Sequence, residues 1–207
     1  MLRRLADGLL AGFMVSFGSA IFLACDVKYV GAFLFCIALV VICNEGYNLF
    51  TGKVGYMVEN HTKEDFSVLL IGLFGNAVVT CLAGMAIAYA VPDIGEKALV
   101  LCTAKLEQEF FQTLIRAIFC GILMYLAVCL FKEHHTPLGI FFCIPVFSLS
   151  GYEHSIANMF YFGASGIVSL EAFKFICVAI LGNSIGGMLF PVLKLPIKLG
   201  NKLKRQE

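Results

Sequence analysis

The chain has 207 residues, 60% of them hydrophobic and only 14% charged, with a mean hydropathy of +0.90 and a formal net charge of +1. A soluble domain is nearer half apolar and a quarter charged, because its surface has to be wetted; this chain has too few charges for that and reads as an integral membrane protein. The small net charge also excludes a nucleic-acid partner, which needs a concentrated basic face.

A helix needs about 20 apolar residues to cross the hydrocarbon layer. The first such run is residues 5–24. Arg3 and Arg4 lead into it, and no small-x-small cleavage site follows before charge returns, so it is expected to be a span and not a removed leader. Further spans are expected over residues 29–58, 66–91, 110–131, 138–162 and 170–193, giving an all-α protein with six transmembrane helices. Residues 92–109 read as an outer loop that holds Cys102 and Lys105, and Cys25 falls in another.

With an even number of spans both termini share one side. That side collects Arg3, Arg4, Lys53, Lys63, Lys132, Lys194 and the basic tail over residues 198–205; the other has Lys28, Lys97, Lys105 and Lys174. By the positive-inside rule both termini are expected to be cytoplasmic, in a multi-pass protein of the cell (inner) membrane, with the tail on the anionic inner leaflet.

The second and fifth spans are interrupted by polar groups. One contains Asn44, Glu45, Gly46 and Asn48 ahead of Leu49-Phe50-Thr51-Gly52-Lys53; the other contains Ser150-Gly151-Tyr152-Glu153-His154-Ser155 and then Asn158. An unpaired polar group at membrane depth costs several kcal/mol, so such residues line a cavity or pair within the bundle. Each break lies in the second span of a three-span half, and each half's third span carries Gly-Asn, at Gly75-Asn76 and Gly182-Asn183. Three is odd, so the second half enters the membrane upside down. An inverted 3+3 repeat with a broken helix in each half is the pattern of a transport protein whose site lies at the midplane.

The nine cysteines form no C-x-x-C pair and sit mostly in apolar runs, where they act as small hydrophobes. His134-His135 beside Glu133 reads as a solvated turn, since adjacent residues do not converge on an ion. No metal or cofactor is expected. Arg116 reads as a snorkelling anchor at the interface.

The segment Gly151-Tyr152-Glu153-His154-Ser155-Ile156-Ala157-Asn158-Met159-Phe160 closely resembles the G-F-E-H-S-x-A-N-M-F signature of the formate–nitrite transporter family. Leu49-Phe50-Thr51-Gly52 is similar to that family's A-E-L-F-T-G, Gly182-Asn183-Ser184-Ile185-Gly186-Gly187 to its G-N-x-x-G-G, and Arg116-Ala117-Ile118-Phe119-Cys120 to its R-G-I-L-C. Lys105, eleven residues before Arg116, stands at the spacing of the family's functional lysine. The resemblance covers residues 5–192 and implies a homo-pentamer of channels, each protomer an aquaporin-like fold with its own pore for formate, nitrite, hydrosulfide or lactate. It further implies that His154 is the central pore histidine, with Thr51 across from it, Asn183 hydrogen-bonded in its support and Lys105 attracting anions from outside. Phe35, Leu39, Leu49 and Phe50 on one repeat, with Phe147 on the other, would make the constrictions.

Four departures stand out. Asn48 replaces the family's acid before L-F-T-G, while Glu45 sits about one turn earlier and is a candidate for altered selectivity. Phe175-Ile176-Cys177-Val178 lacks the family's proline, Gly121 stands where the family has asparagine, and no amphipathic segment precedes the first span.

A bare anion crosses a dry apolar collar only at a large desolvation cost, whereas its neutral acid crosses easily. Proton-coupled passage past His154 is therefore expected, with Glu153 orienting the ring or pairing internally and Asn158 beside them; the rival is a neutral His154 that only donates a hydrogen bond while the ion passes as an ion. Formate is the first substrate expectation. A pore for neutral solutes would need no vestibule lysine, and the Asn-Pro-Ala motif of aquaporins is missing. An intramembrane enzyme using Glu153 and His154 lacks a nucleophile or metal at a workable spacing. The whole chain, residues 1–207, is taken as one transmembrane domain, with repeats at about 5–91 and 110–193 and a tail over 194–207.

Overall fold

The computed structural model describes residues 1–203, with side chains through Pro196; the basic tail over residues 198–205 lies outside the described side chains. Helices follow one another as α1 (Leu2–Ala24), α2 (Lys28–Glu45), α3 (Phe50–Lys53) continued by a 3-10 turn (Val54–Val58), α4 (Lys63–Ala90), α5 (Pro92–Leu106), α6 (Phe110–His134), α7 (Leu138–Leu149), α8 (Ser155–Ser165) and α9 (Leu170–Leu203). The described residues contain no strand.

Among those residues, α1, α2, α4, α6 and α9 are long and apolar enough to cross a membrane, and only 33–44% of each spanning window is buried. Much of the remainder is apolar and exposed, including Phe17, Phe33, Phe74 and Phe111, as is Phe142 on the shorter α7. Apolar surface on that scale needs lipid or another protein surface to cover it. The expected span over 138–162 is divided into α7, of 12 residues, and α8, of 11 residues, each too short to cross alone. The expected span over 29–58 stops at Glu45 and restarts at Phe50.

Both interruptions turn on a left-handed glycine. Gly46, with φ 71°, caps α2, and Gly151, with φ 69°, follows α7; a side chain would strain either position. Residues 92–109, expected as a loop, are largely the helix α5. Pro92 stands at its first turn, where the missing N–H costs nothing, and Lys97 ties it down through ion pairs with Asp93 at 3.0 Å and Asp26 at 3.2 Å. Thr62 and Asp65 form a capping box at the start of α4, beside which Arg4 pairs with Glu64.

The two most extensive helix contacts are α1 with α4 and α6 with α9. Both are made by small residues that let backbones touch. Gly8 and Gly12 meet Gly72, Gly75 and Asn76, and Gly121 meets the Asn183 backbone while Gly182 and Gly186 meet α6 over Leu114 and Ile118.

Candidate functional site

Two asparagines hold the broken segments by matching sets of bonds. Asn76 Nδ2 donates to the carbonyls of Gly8 at 2.8 Å and Asn48 at 3.0 Å, while its Oδ1 accepts from Phe50 N at 2.9 Å. Asn183 Nδ2 donates to the carbonyls of Ala117 and Glu153, and its Oδ1 accepts from Ser155 N, all at 2.8 Å. A backbone bond accompanies each set, Asn48 N to Asp7 O at 3.1 Å and Glu153 N to Arg116 O at 3.4 Å. Both asparagines are fully buried. Each satisfies the carbonyl before and the N–H after a helix break, which would otherwise be orphaned in an apolar interior, and ties them to a carbonyl of a neighbouring helix, which is why a carboxamide, with both donors and acceptor, serves there.

These fixtures aim two side chains at each other. Thr51 Oγ1 lies 2.9 Å from His154 Nε2. His154 also caps α8: its Nδ1 accepts from Ala157 N at 3.1 Å. An accepting Nδ1 carries no proton, so the network assigns the Nε2–H tautomer, which donates to Thr51. A second proton on the ring would have to displace the capping bond. The ring stacks on Phe147, with centroids 5.5 Å apart at 17°, and Phe147 meets Phe35 edge-on at 6.0 Å.

Below that stack the path narrows to a cavity of about 10 Å³ lined by Val15, Phe35, Leu39, Leu49, Phe147 and His154 among others, scarcely room for one water. On one side Leu39, Ile42 and Leu49 are shared with a cavity of about 240 Å³ that extends to Lys53 and Lys132. On the other, beyond His154, a cavity of about 350 Å³ is lined by Lys105, Glu107, Gln108, Arg116 and Glu153. Here the 1%-exposed Glu153 is fully engaged. It pairs with Lys105 and accepts from Gln108 Nε2 and Asn158 Nδ2, both at 2.9 Å. Burying a carboxylate is costly unless donors such as these replace its lost hydration.

A family model described as "Formate/nitrite transporter" matches residues 1–195. The chain belongs to the formate/nitrite transporter family. A formate-nitrite transporter of Plasmodium ovale is 29% identical over 82% of this chain and 65% of its own length, so the chain spans about two-thirds of that relative. The uncharacterized transporter YrhG of Bacillus subtilis is 30% identical over 78% of this chain and 68% of its own. Among solved structures, an "FNT family ion channel" superposes with a TM-score of 0.80 over 91% of this chain and 87% of that one, at 22% identity. A "Pentameric formate channel with formate bound" gives 0.68 over 99% and 95%, at 19% identity. At those identities the likeness is one of fold. The family and both neighbours are transporters or channels, not enzymes.

Within this formate/nitrite transporter fold, the residues anticipated from sequence separate into groups. His154, Thr51, Phe35, Leu39, Leu49 and Phe147 come together at the narrow point. Phe50 is buried but does not line it; its backbone N–H is held by Asn76. Asn183 does not touch the His154 ring and instead pins the backbone on either side of it. Lys105 is not a free loop lysine: it ends α5, is 8% exposed and is tied to Glu153, with Asn158 on the same carboxylate. Glu45 is exposed at the end of α2, away from the narrow point, while Asn48 is buried, donating to Val68 O at 2.7 Å. All nine cysteines are free, including Cys25 and the buried Cys102. Reasoning from sequence missed Val15, Ala38, Ile42, Met124 and Ile144 in the collar, since lone apolar residues in apolar helices carry no signal. It also missed Gln108, which Glu153 alone makes meaningful.

Proposed function

We propose that this protein conducts small monovalent anions of weak acids, formate first among them, with a proton accompanying the anion past His154. The single observation behind the reading is the dry collar of about 10 Å³ closed by the Thr51–His154 bond between two cavities that carry charged residues. An ion stripped of water in such a collar faces a cost of many kcal/mol, whereas a neutral acid can exchange its hydration for one hydrogen bond to Nε2–H and one to the Thr51 hydroxyl. His154, tethered through Nδ1, is suited to donating a hydrogen bond from Nε2–H while the substrate carries its own proton past it. Nitrite and hydrosulfide compete with formate for the role.

In this proposal α7 and α8 jointly make one crossing and α2 with α3 another, so that six crossings form an inverted 3+3 repeat, supported by the matched Asn76 and Asn183 bonds. The exposed apolar helix faces are covered by lipid and by further copies, a pentamer like the formate channel this chain resembles in fold. Both termini lie on the cytoplasmic side of the inner membrane.

The test is purified protein in proteoliposomes, given formate, nitrite, hydrosulfide and lactate in parallel while internal pH is recorded. Expected is flux of formate with matching alkalinisation or acidification, strongly reduced in His154→Ala. Absence of flux for every one of these anions across a range of pH, from an assembled oligomer, overturns the reading.

A further inference from the structure

The two cavities flanking the collar differ in charge. The outer one is lined by two cations, Lys105 and Arg116, and two acids, Glu107 and Glu153, with Lys105 already spent on Glu153. The inner one is lined by two cations, Lys53 and Lys132, and no acid. Among the described residues neither lysine belongs to an ion pair. Lys53 is half-buried at the end of α3; Lys132 is exposed at the last turn of α6, its ammonium 3.8 Å from the centroid of the Tyr56 ring. Nearby acids stand outside the lining of this cavity and form no ion pair with either lysine: Asp65 lies on an adjoining pocket, where it accepts from Thr62; Glu133 accepts from Cys129; Asp7 attracts Lys53 from beyond ion-pair distance.

Like charges brought together without a counter-ion are destabilising, and their joint field attracts an anion into the space they share. That space, about 240 Å³, has an apolar wall of Leu39, Ile42, Val128 and Phe131, and it leads through Leu39 and Leu49 to the collar. We propose that the inner cavity is an anion-binding site, in which Lys53 and Lys132 hold a small monovalent anion such as a carboxylate before it reaches the collar, making this the stronger loading side. The consequence for loading rests on the channel reading above; the binding does not.

Cys43 lines the same cavity and can report its field in the intact protein. The rates at which an anionic and a cationic methanethiosulfonate modify it would be read by mass spectrometry of the Cys43 peptide, each divided by its rate on a free thiol, which cancels thiol reactivity. The anionic reagent should be favoured by roughly fivefold or more at low salt, falling towards one in Lys53→Gln/Lys132→Gln and at about 0.5 M salt. Lys53→Arg/Lys132→Arg should keep the preference, and formate should slow the reaction at Cys43 in wild type but not in the double Gln variant. If Cys43 is unreactive, Tyr47→Cys on the same wall gives the same reading. No anionic preference, or one that survives the double Gln change, overturns the proposal. In oriented proteoliposomes the double Gln variant should raise the half-saturating anion concentration several-fold on the Lys53 face and leave the other face unchanged. A correct thiol ratio without any anion flux would leave the site standing and sink the channel; normal flux with an insensitive ratio would do the reverse.

Discussion

Asn183 carries more of the site than any residue that lines it. Replacing it with Ala removes three 2.8 Å bonds at once and leaves the Glu153 carbonyl and the Ser155 N–H buried without partners, while the Ala117 carbonyl keeps its bond within α6. Interhelical hydrogen bonds in membranes average about 0.6 kcal/mol, and orphaned buried groups in soluble proteins cost about 1–3 kcal/mol each, so three lost bonds with two orphans bracket a loss of roughly 2–6 kcal/mol. The collapse should be local, because the freed groups flank Glu153 and the first turn of α8, and His154 would lose its register against Thr51. Reversible unfolding in mixed micelles measures the loss. Asn183→Leu, close in size, separates bonding from packing and should cost a similar amount. Asn76→Ala removes the equivalent three bonds and should match Asn183→Ala, and the double variant should show additive costs because the two sets share no partner. If Ala and Leu at position 183 both stay within about 0.5 kcal/mol of wild type, the account of how these breaks are tolerated in an apolar interior is wrong.

Three further outcomes are expected. Thr51→Val keeps the shape but leaves His154 Nε2 without its partner; it should cost about 1 kcal/mol in the same unfolding assay and reduce formate flux, while Thr51→Ser restores both. Lys105→Met or Glu153→Gln alone breaks a buried ion pair and should destabilise by about 3–5 kcal/mol, whereas the double change should recover most of that loss on thermal melting. Gly121→Ala places a methyl against the Asn183 backbone and should cost about 1–3 kcal/mol, seen as earlier dissociation of the folded protein in detergent.

The interruptions after α2 and α7 were legible because glycine with polar neighbours inside an apolar run has few other meanings; Gly46 and Gly151 are left-handed, as such positions require. The Thr51–His154 meeting was legible through the resemblance. The role of Asn183 was not, since nothing in Gly-Asn says whether the amide faces a ring or a carbonyl 66 residues away. Residues 92–106 were misread because Asp93, Glu96, Lys97 and Lys105 gave the stretch a loop-like composition; their charges are met by partners, Lys97 by Asp26 and Lys105 by Glu153, that lie far off in sequence. Glu45 looked functional by type and is placed in an exposed position by the turn at Gly46.

The imidazole that caps α8 is also part of that helix's foundation. A ring tied to backbone on one nitrogen and to Thr51 on the other cannot swing aside without loosening the start of the helix, so it behaves as a fixed post. Any widening of the collar then falls to the side chains facing it, Phe35, Leu39 and Ile42, which all hang from α2 and have no polar tether. Such side chains change rotamer without breaking a hydrogen bond, so the collar can open while the tethered ring stays in place.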